Sequence, residues 1–194
     1  MEHYFSEKQK SKLNVKEINI DILNHSFIFL TPSGVFSFGK FDNGSKLLIN
    51  KSIIKEKSKV LDLGCGYGNV GICISKAYKV EVTLSDINER AINFTKKNAI
   101  KNNVNVEIIK SNAFQEINQK FDTILFNPPQ HAGKDLCLSM IEESINYLND
   151  NGTLQVVARH NKGGKSFEEH MKKIFNNCEH VAIKSGYRIY LSKK

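Results

Sequence analysis

The chain has 194 residues, 40 % of them apolar and 25 % charged, with 28 Lys and Arg against 20 Asp and Glu and a formal charge of +8. That length suits one domain with a full core, and no apolar run is long enough to span a bilayer, which excludes a membrane-spanning helix. Cys65, Cys73, Cys137 and Cys178 show no C-x-x-C spacing, which argues against a disulfide scaffold or zinc site and for reduced thiols in a cytoplasmic protein; no metal is expected. The basic balance favours a polyanionic partner such as RNA.

Residues 1–14 are polar and Lys-rich, and are expected to form a flexible lead. Residues 15–20 and 27–30 read as strands. Thr31-Pro32-Ser33-Gly34 reads as a turn and 35–38 as a further short strand, so a β-hairpin is expected there. Asp42 or Ser45 could cap the helix that follows, with Leu47, Leu48 and 50–54 as its body. Residues 60–63 form a continuous apolar run, the mark of a buried parallel strand. A glycine-rich turn follows, then a helix over 69–76, a strand over 80–84 and a helix over 89–102. Strands are expected at 106–109 and 121–126, a helix at 134–148, a turn at Asn151-Gly152 and a strand at 153–158. A helix over 165–175 and strands at 181–184 and 188–191 close the chain.

Strands alternate with helices from Val60 onward, which predicts an α/β fold: a mainly parallel, doubly wound sheet with an antiparallel C-terminal strand, preceded by the N-terminal β-hairpin. One domain over 15–194 is expected, with 15–55 as hairpin and helix and 56–194 as the core. Ligands in such sheets sit at the carboxyl ends of the strands. That rule gathers Asp62 to Gly68, Asp86, Asn112 and Asn127 on one rim.

The glycine turn admits two ligands. Gly66-Tyr67-Gly68-Asn69-Val70-Gly71 has the dinucleotide spacing G-x-G-x-x-G, with Asp86 about 20 residues on. One frame earlier, Asp62-Leu63-Gly64-Cys65-Gly66-Tyr67-Gly68 reads D-x-G-x-G-x-G. An acid at the strand end repels a pyrophosphate but suits the ammonium of an amino-acid-like ligand. A turn without ligand is the plainer alternative. In this second frame the sequence resembles the first motif of class I S-adenosylmethionine-dependent methyltransferases, whose fold is Rossmann-like. The resemblance implies S-adenosylmethionine as cofactor, held by Asp62, Gly64, Cys65, Gly66, Gly68, Asp86, Ile87, Asn112, Ala113 and Asn127. Asp86 would accept the ribose hydroxyls, or else cap the next helix. Asn112, where the family often has Asp, would meet the adenine amino group.

Asn127-Pro128-Pro129-Gln130 is the second cluster, and holds two of the chain's three prolines. Proline removes N–H donors, so this loop presents carbonyls. The Asn127 and Pro128 carbonyls can accept from one –NH2 group, or the pair of prolines simply ends a strand. The tetrapeptide resembles the catalytic motif of methyltransferases acting on adenine N6, guanine N2 or glutamine side chains, although Gln130 replaces the usual aromatic residue. His131 beside it would contact a base or be an ordinary loop residue.

Gly34-Val35-Phe36-Ser37, the run Asp42 to Leu48, Asn127-Pro128-Pro129-Gln130-His131 and Gly186-Tyr187-Arg188 together resemble small-subunit ribosomal RNA guanine-N2 methyltransferases, most closely the single-domain archaeal type. The likeness covers roughly residues 15–191. It implies methyl transfer to guanine N2 in small-subunit ribosomal RNA, with Asn127, Pro128, Pro129 and His131 catalytic and Gln130 and His131 touching substrate. Lys162 and Lys165, in a Gly-rich loop opening a helix, suit an RNA phosphate or a solvated loop. A protein glutamine methyltransferase and a non-catalytic, cofactor-sensing RNA-binding module remain open. A nicotinamide oxidoreductase has only the glycine spacing in its favour.

Overall fold

The computed structural model describes residues 7, 9, 11–129 and 133–194. Strands β1 (Val15–Ile22) and β2 (His25–Pro32) form an antiparallel hairpin. The rest runs α1 (Asn43–Lys51), β3 (Lys59–Leu63), α2 (Asn69–Ala77), β4 (Glu81–Asp86), α3 (Glu89–Lys101), β5 (Glu107–Lys110), β6 (Phe121–Phe126) and α4 (Lys134–Ser144). It closes with β7 (Leu148–Arg159), α5 (Lys165–Phe175), β8 (Glu179–Lys184) and β9 (Tyr187–Lys193). Seven strands make one sheet in the order β5-β4-β3-β6-β7-β9-β8. The pairs among β3 to β7 are parallel, and β9 lies antiparallel between β7 and β8. The chain leaves β3 toward β4 and β5, then returns to β6 on the other side. That reversal opens a crevice at the carboxyl ends of β3 and β6.

One apolar cluster joins the hairpin, α1, α2 and the inner side of α3. The other joins β6, α4, β7 and α5. Gly71 permits the close seat of α2, because a β-carbon there would lie 2.6 Å from Leu84 Cδ2.

The hairpin differs from its expected form. Its turn is Leu23-Asn24, both at positive φ (52° and 60°), the two-residue geometry that matches strand twist. The segment 35–38 is not a strand; it runs through turns, with Ser37 at φ 63°. β2 takes in Thr31 and Pro32, which leaves the turn at Ser33-Gly34. Two asparagines four residues apart, Asn98 on α3 and Asn102 at its C-terminal cap, occupy the free edge of β2. Asn98 accepts from Leu30 N–H (2.8 Å) and donates to Leu30 O (3.0 Å). Asn102 does the same at Ile28, at 3.0 Å and 2.8 Å. The side-chain amides thus replace a neighbouring strand, so a row of backbone groups that would otherwise need water is satisfied.

Three other boundaries move. The helix expected to run to 54 stops at Lys51. The expected 134–148 helix stops at Ser144, and Ile145–Tyr147 tightens into a single 3₁₀ turn. Asn151-Gly152 is not a separate turn but part of β7, where the pairing with β6 shifts register. Asn151 takes φ 65° there, the local twist of a bulge.

Candidate active site

The carboxyl ends of β3, β4 and β6 and the loop after β5 line a cavity of about 980 Å³, counting its open mouth. Asp62, Gly64, Cys65, Gly66, Asp86, Ile87, Asn112, Ala113, Asn127, Pro128 and Pro129 all face it. Gly68 stands just behind, as the N-terminal boundary of α2 at φ 88°. A β-carbon on it would lie 2.8 Å from Thr95 Cγ2, so glycine is needed at that contact. Lys162 and Lys165 are exposed in and after the wide turn His160–Gly164, away from the cavity. Gln130 and His131 lie outside the described residues.

The glycine loop is held from three sides. Gly66 N–H donates to Asp86 Oδ2 (2.9 Å), Thr95 Oγ1 donates to Gly66 O (2.9 Å), and Asn98 Nδ2 donates to Tyr67 O (2.9 Å). Asp86 does not cap α3. Its Oδ1 accepts from Asn88 N–H (2.8 Å), and Asn88 is the cap, accepting from Arg90 and Ala91 N–H. Each Asp86 oxygen still has a lone pair to offer.

Asp62 is buried, and its Oδ2 accepts from Gly71 N–H at 2.8 Å. Its Oδ1 takes no hydrogen bond among the described residues, and no cation pairs with it there. Burial, with the nearby Asp86 charge adding, pushes the Asp62 carboxyl up to about 7. Burial also pushes Asp86 up to about 6 against the pull of its backbone donors. Two acids facing one cavity, Asp62 buried and Asp86 half-buried, neither neutralised by a described cation, make a strong site for a cationic, hydroxyl-bearing ligand. They disfavour a pyrophosphate. Across the cavity, Ala113 is held at φ 48°, a strained position for a residue with a β-carbon. Ser111 braces it, its hydroxyl donating to Ala113 O (2.9 Å) and accepting from Glu116 N–H (3.1 Å).

Asn127 is oriented by residues the motif alone did not reveal. Its Nδ2 donates to Asp42 Oδ2 and to Ser45 Oγ, both at 3.0 Å. Asp42 is the cap of α1, and the same Oδ2 accepts from Ser45 N–H at 2.7 Å. A carboxylate can only accept, so the Asn127 amide must turn its NH2 toward α1. Its Oδ1 then remains uncommitted, accepting from no described residue. Val35 and Phe36, on the turn expected to be a strand, also line the cavity, as do Leu136 and Met140 of α4.

The methyltransferase small domain family matches residues 26–191. The chain belongs to that family. Among this methyltransferase's relatives, the Bacillus subtilis protein YbxB, described as uncharacterized, is 36 % identical over the whole of this chain and 98 % of its own length. The Haemophilus influenzae ribosomal RNA small subunit methyltransferase C is 32 % identical over 98 % of this chain, which spans 59 % of that protein. Among solved structures, a T. thermophilus 16S rRNA N2 guanine methyltransferase in complex with AdoMet and guanosine superposes with a TM-score of 0.83 at 22 % identity. It covers 95 % of this chain, which spans 51 % of that one; the likeness is one of fold. No helix among the described residues is long and apolar enough to cross a membrane.

Proposed function

We propose that this methyltransferase moves a methyl group from S-adenosylmethionine to the exocyclic N2 amine of a guanine in small-subunit ribosomal RNA, working in the cytoplasm as one domain over 15–194. The observation that carries this reading is the Asn127 amide, turned so that its carbonyl is free at the cavity. An aromatic amine offers N–H donors, and a fixed carbonyl acceptor is what orients such a group. The fit to the cofactor rests on the unneutralised Asp62 and Asp86 carboxyls. S-adenosylmethionine supplies a methyl group already activated on a positively charged sulfur, so the protein's task is placement.

In this reading Asp62 meets the amino-acid ammonium, and Asp86 accepts from the ribose hydroxyls. Asn112, Ala113 and Ile87 border the adenine. Asn127 Oδ1 accepts one N–H of the guanine amine and aims the nitrogen, while Asp42 and Ser45 keep the amide from rotating away. Pro128 and Pro129 fix the backbone beside it and add no competing donor. The likeness to the Haemophilus influenzae ribosomal RNA small subunit methyltransferase C supports RNA as substrate, and the charge of +8 agrees.

The test is transfer of labelled methyl from S-adenosylmethionine into unmodified small-subunit RNA and, in parallel, total protein. N2-methylguanosine among the digested nucleosides is the expected product. Asn127→Ala is expected to lower turnover about 10²–10³-fold, the cost of one lost transition-state hydrogen bond, with cofactor affinity little changed. Label in glutamine residues of a protein, and none in RNA, overturns the reading.

A further inference from the structure

Beside the cofactor cavity, the exposed side of α1 and the β8–β9 hairpin enclose a second groove of about 1070 Å³, counting its open mouth. Lys46 and Lys51 line it from α1, Lys184 and Tyr187 from the hairpin, with Asn43 and Asn50 between. No carboxylate lines it. The three lysines are exposed and make no ion pair among the described residues. Three lysines converging on one concave surface with no carboxylate in its lining leave an uncompensated positive field.

The groove is built onto the catalytic centre. Its floor helix, α1, begins at Asp42, the residue that holds Asn127. Its far wall is locked to the same helix, because a β-carbon on Gly44 would lie 3.1 Å from the Tyr187 ring. Arg159 lies over the same ring, 4.9 Å from its centre. His160 N–H donates to Gly186 O at 3.0 Å, which ties the Lys162 turn to the hairpin tip. The Gly186-Tyr187-Arg188 run, which the proposed chemistry does not use, thus forms the rim of a basic surface reaching from α1 to Lys165.

We infer that the Lys46–Lys51–Lys184 groove binds the phosphodiester backbone of the RNA substrate and presents the target nucleotide to Asn127. This rests on the proposed RNA substrate. Lysines act on phosphate as point charges without demanding a base, so the groove sets register and affinity while the cavity selects the nucleotide. Lys51 stands five positions after Lys46 on the helix, about 7.5 Å along the axis, which lets the two meet different phosphates.

The test is a triple variant, Lys46→Gln with Lys51→Gln and Lys184→Gln. None of these side chains lines the cofactor cavity, so S-adenosylhomocysteine affinity reports that the fold is intact. Binding of fluorescent, in-vitro-transcribed small-subunit RNA is followed by anisotropy across a salt series. The variant is expected to bind roughly tenfold more weakly at moderate salt, with the log–log salt slope reduced by roughly two. Wild-type affinity and slope in the variant overturn the groove, and methyl transfer to RNA by the same samples would leave the proposed activity standing. Loss of affinity without transfer to RNA by wild type supports the groove and sinks the activity. A wild type that binds a protein substrate and no RNA overturns both.

Discussion

Asp62 and Asp86 carry charge that the folded protein pushes into low dielectric, and this has a consequence for stability. Burial raises Asp62 to about 7 and Asp86 to about 6, from a usual value of 3.8. Between those limits the folded protein binds more protons than the unfolded chain, so its stability falls as pH rises. The contribution is fully present below about 3.8 and is lost as pH passes through about 7. The ligand-free protein is therefore expected to show a declining Tm from pH 4.5 to 7.5. Added S-adenosylhomocysteine, whose ammonium compensates the buried charge, should raise Tm more at pH 7.5 than at pH 5. Asp62→Asn keeps an acceptor for Gly71 N–H but carries no charge. It is expected to flatten the pH dependence and to weaken cofactor binding about 10–100-fold, the worth of a charged hydrogen bond, as read by calorimetry. At the opposite wall, Ser45→Ala removes one of two acceptors of Asn127 Nδ2 and leaves the Asp42 cap on Ser45 N–H intact. Turnover should fall about fivefold, in line with one neutral hydrogen bond, with cofactor titration unchanged; equal turnover would mean that Asp42 alone sets the amide.

At the scale of elements, the strand–turn–helix units were readable because each obeys local rules. Val60, Leu61 and Leu63 put apolar residues on both faces of the strand, which does not suit a surface strand, and the alternate glycines leave few other backbones open. The first hairpin was only half readable. Residues 35–38 have strand-forming composition, yet Gly34, Ser37 and Gly39 all take positive φ and break the segment into turns. The true hairpin turn, Leu23-Asn24, carries no glycine to signal it. Asn127 stood out from its prolines, but its partners lie more than 80 residues away in sequence, and no periodicity links them. Asn98 and Asn102 were hidden in the same way, since an asparagine within a helix ordinarily reads as a solvated position. Their role is tertiary: Asn98→Ala would leave Leu30 N–H and O and the Tyr67 carbonyl short of partners. Each buried orphan costs about 1–3 kcal/mol, so urea denaturation should report a loss of about 3 kcal/mol or more.

Across the whole molecule, the sheet divides labour between its two ends. The β3–β4–β5 side carries the acids and the glycine loop, whereas the β7–β9–β8 side carries Arg159, Lys184 and the basic turn. The groove proposed for the RNA backbone, on α1 and the β8–β9 hairpin, shares no lining residue with the cavity that holds Asp62 and Asp86. The Asn98 amide joins a third region, the hairpin, to the first of these sides. It is bonded at once to β2, at Leu30, and to the glycine loop, at Tyr67 O. A ligand that stills the loop should therefore also still β2 without touching it, through the Asn98 amide and through the Phe29 ring, which packs 5.8 Å from the Tyr67 ring. In a solvent-exchange experiment, the Ile28 and Leu30 amides should trade their protons for deuterium more slowly once the cofactor cavity is filled. The hairpin, no residue of which lines the cavity, would then serve as a clock for occupancy of the site.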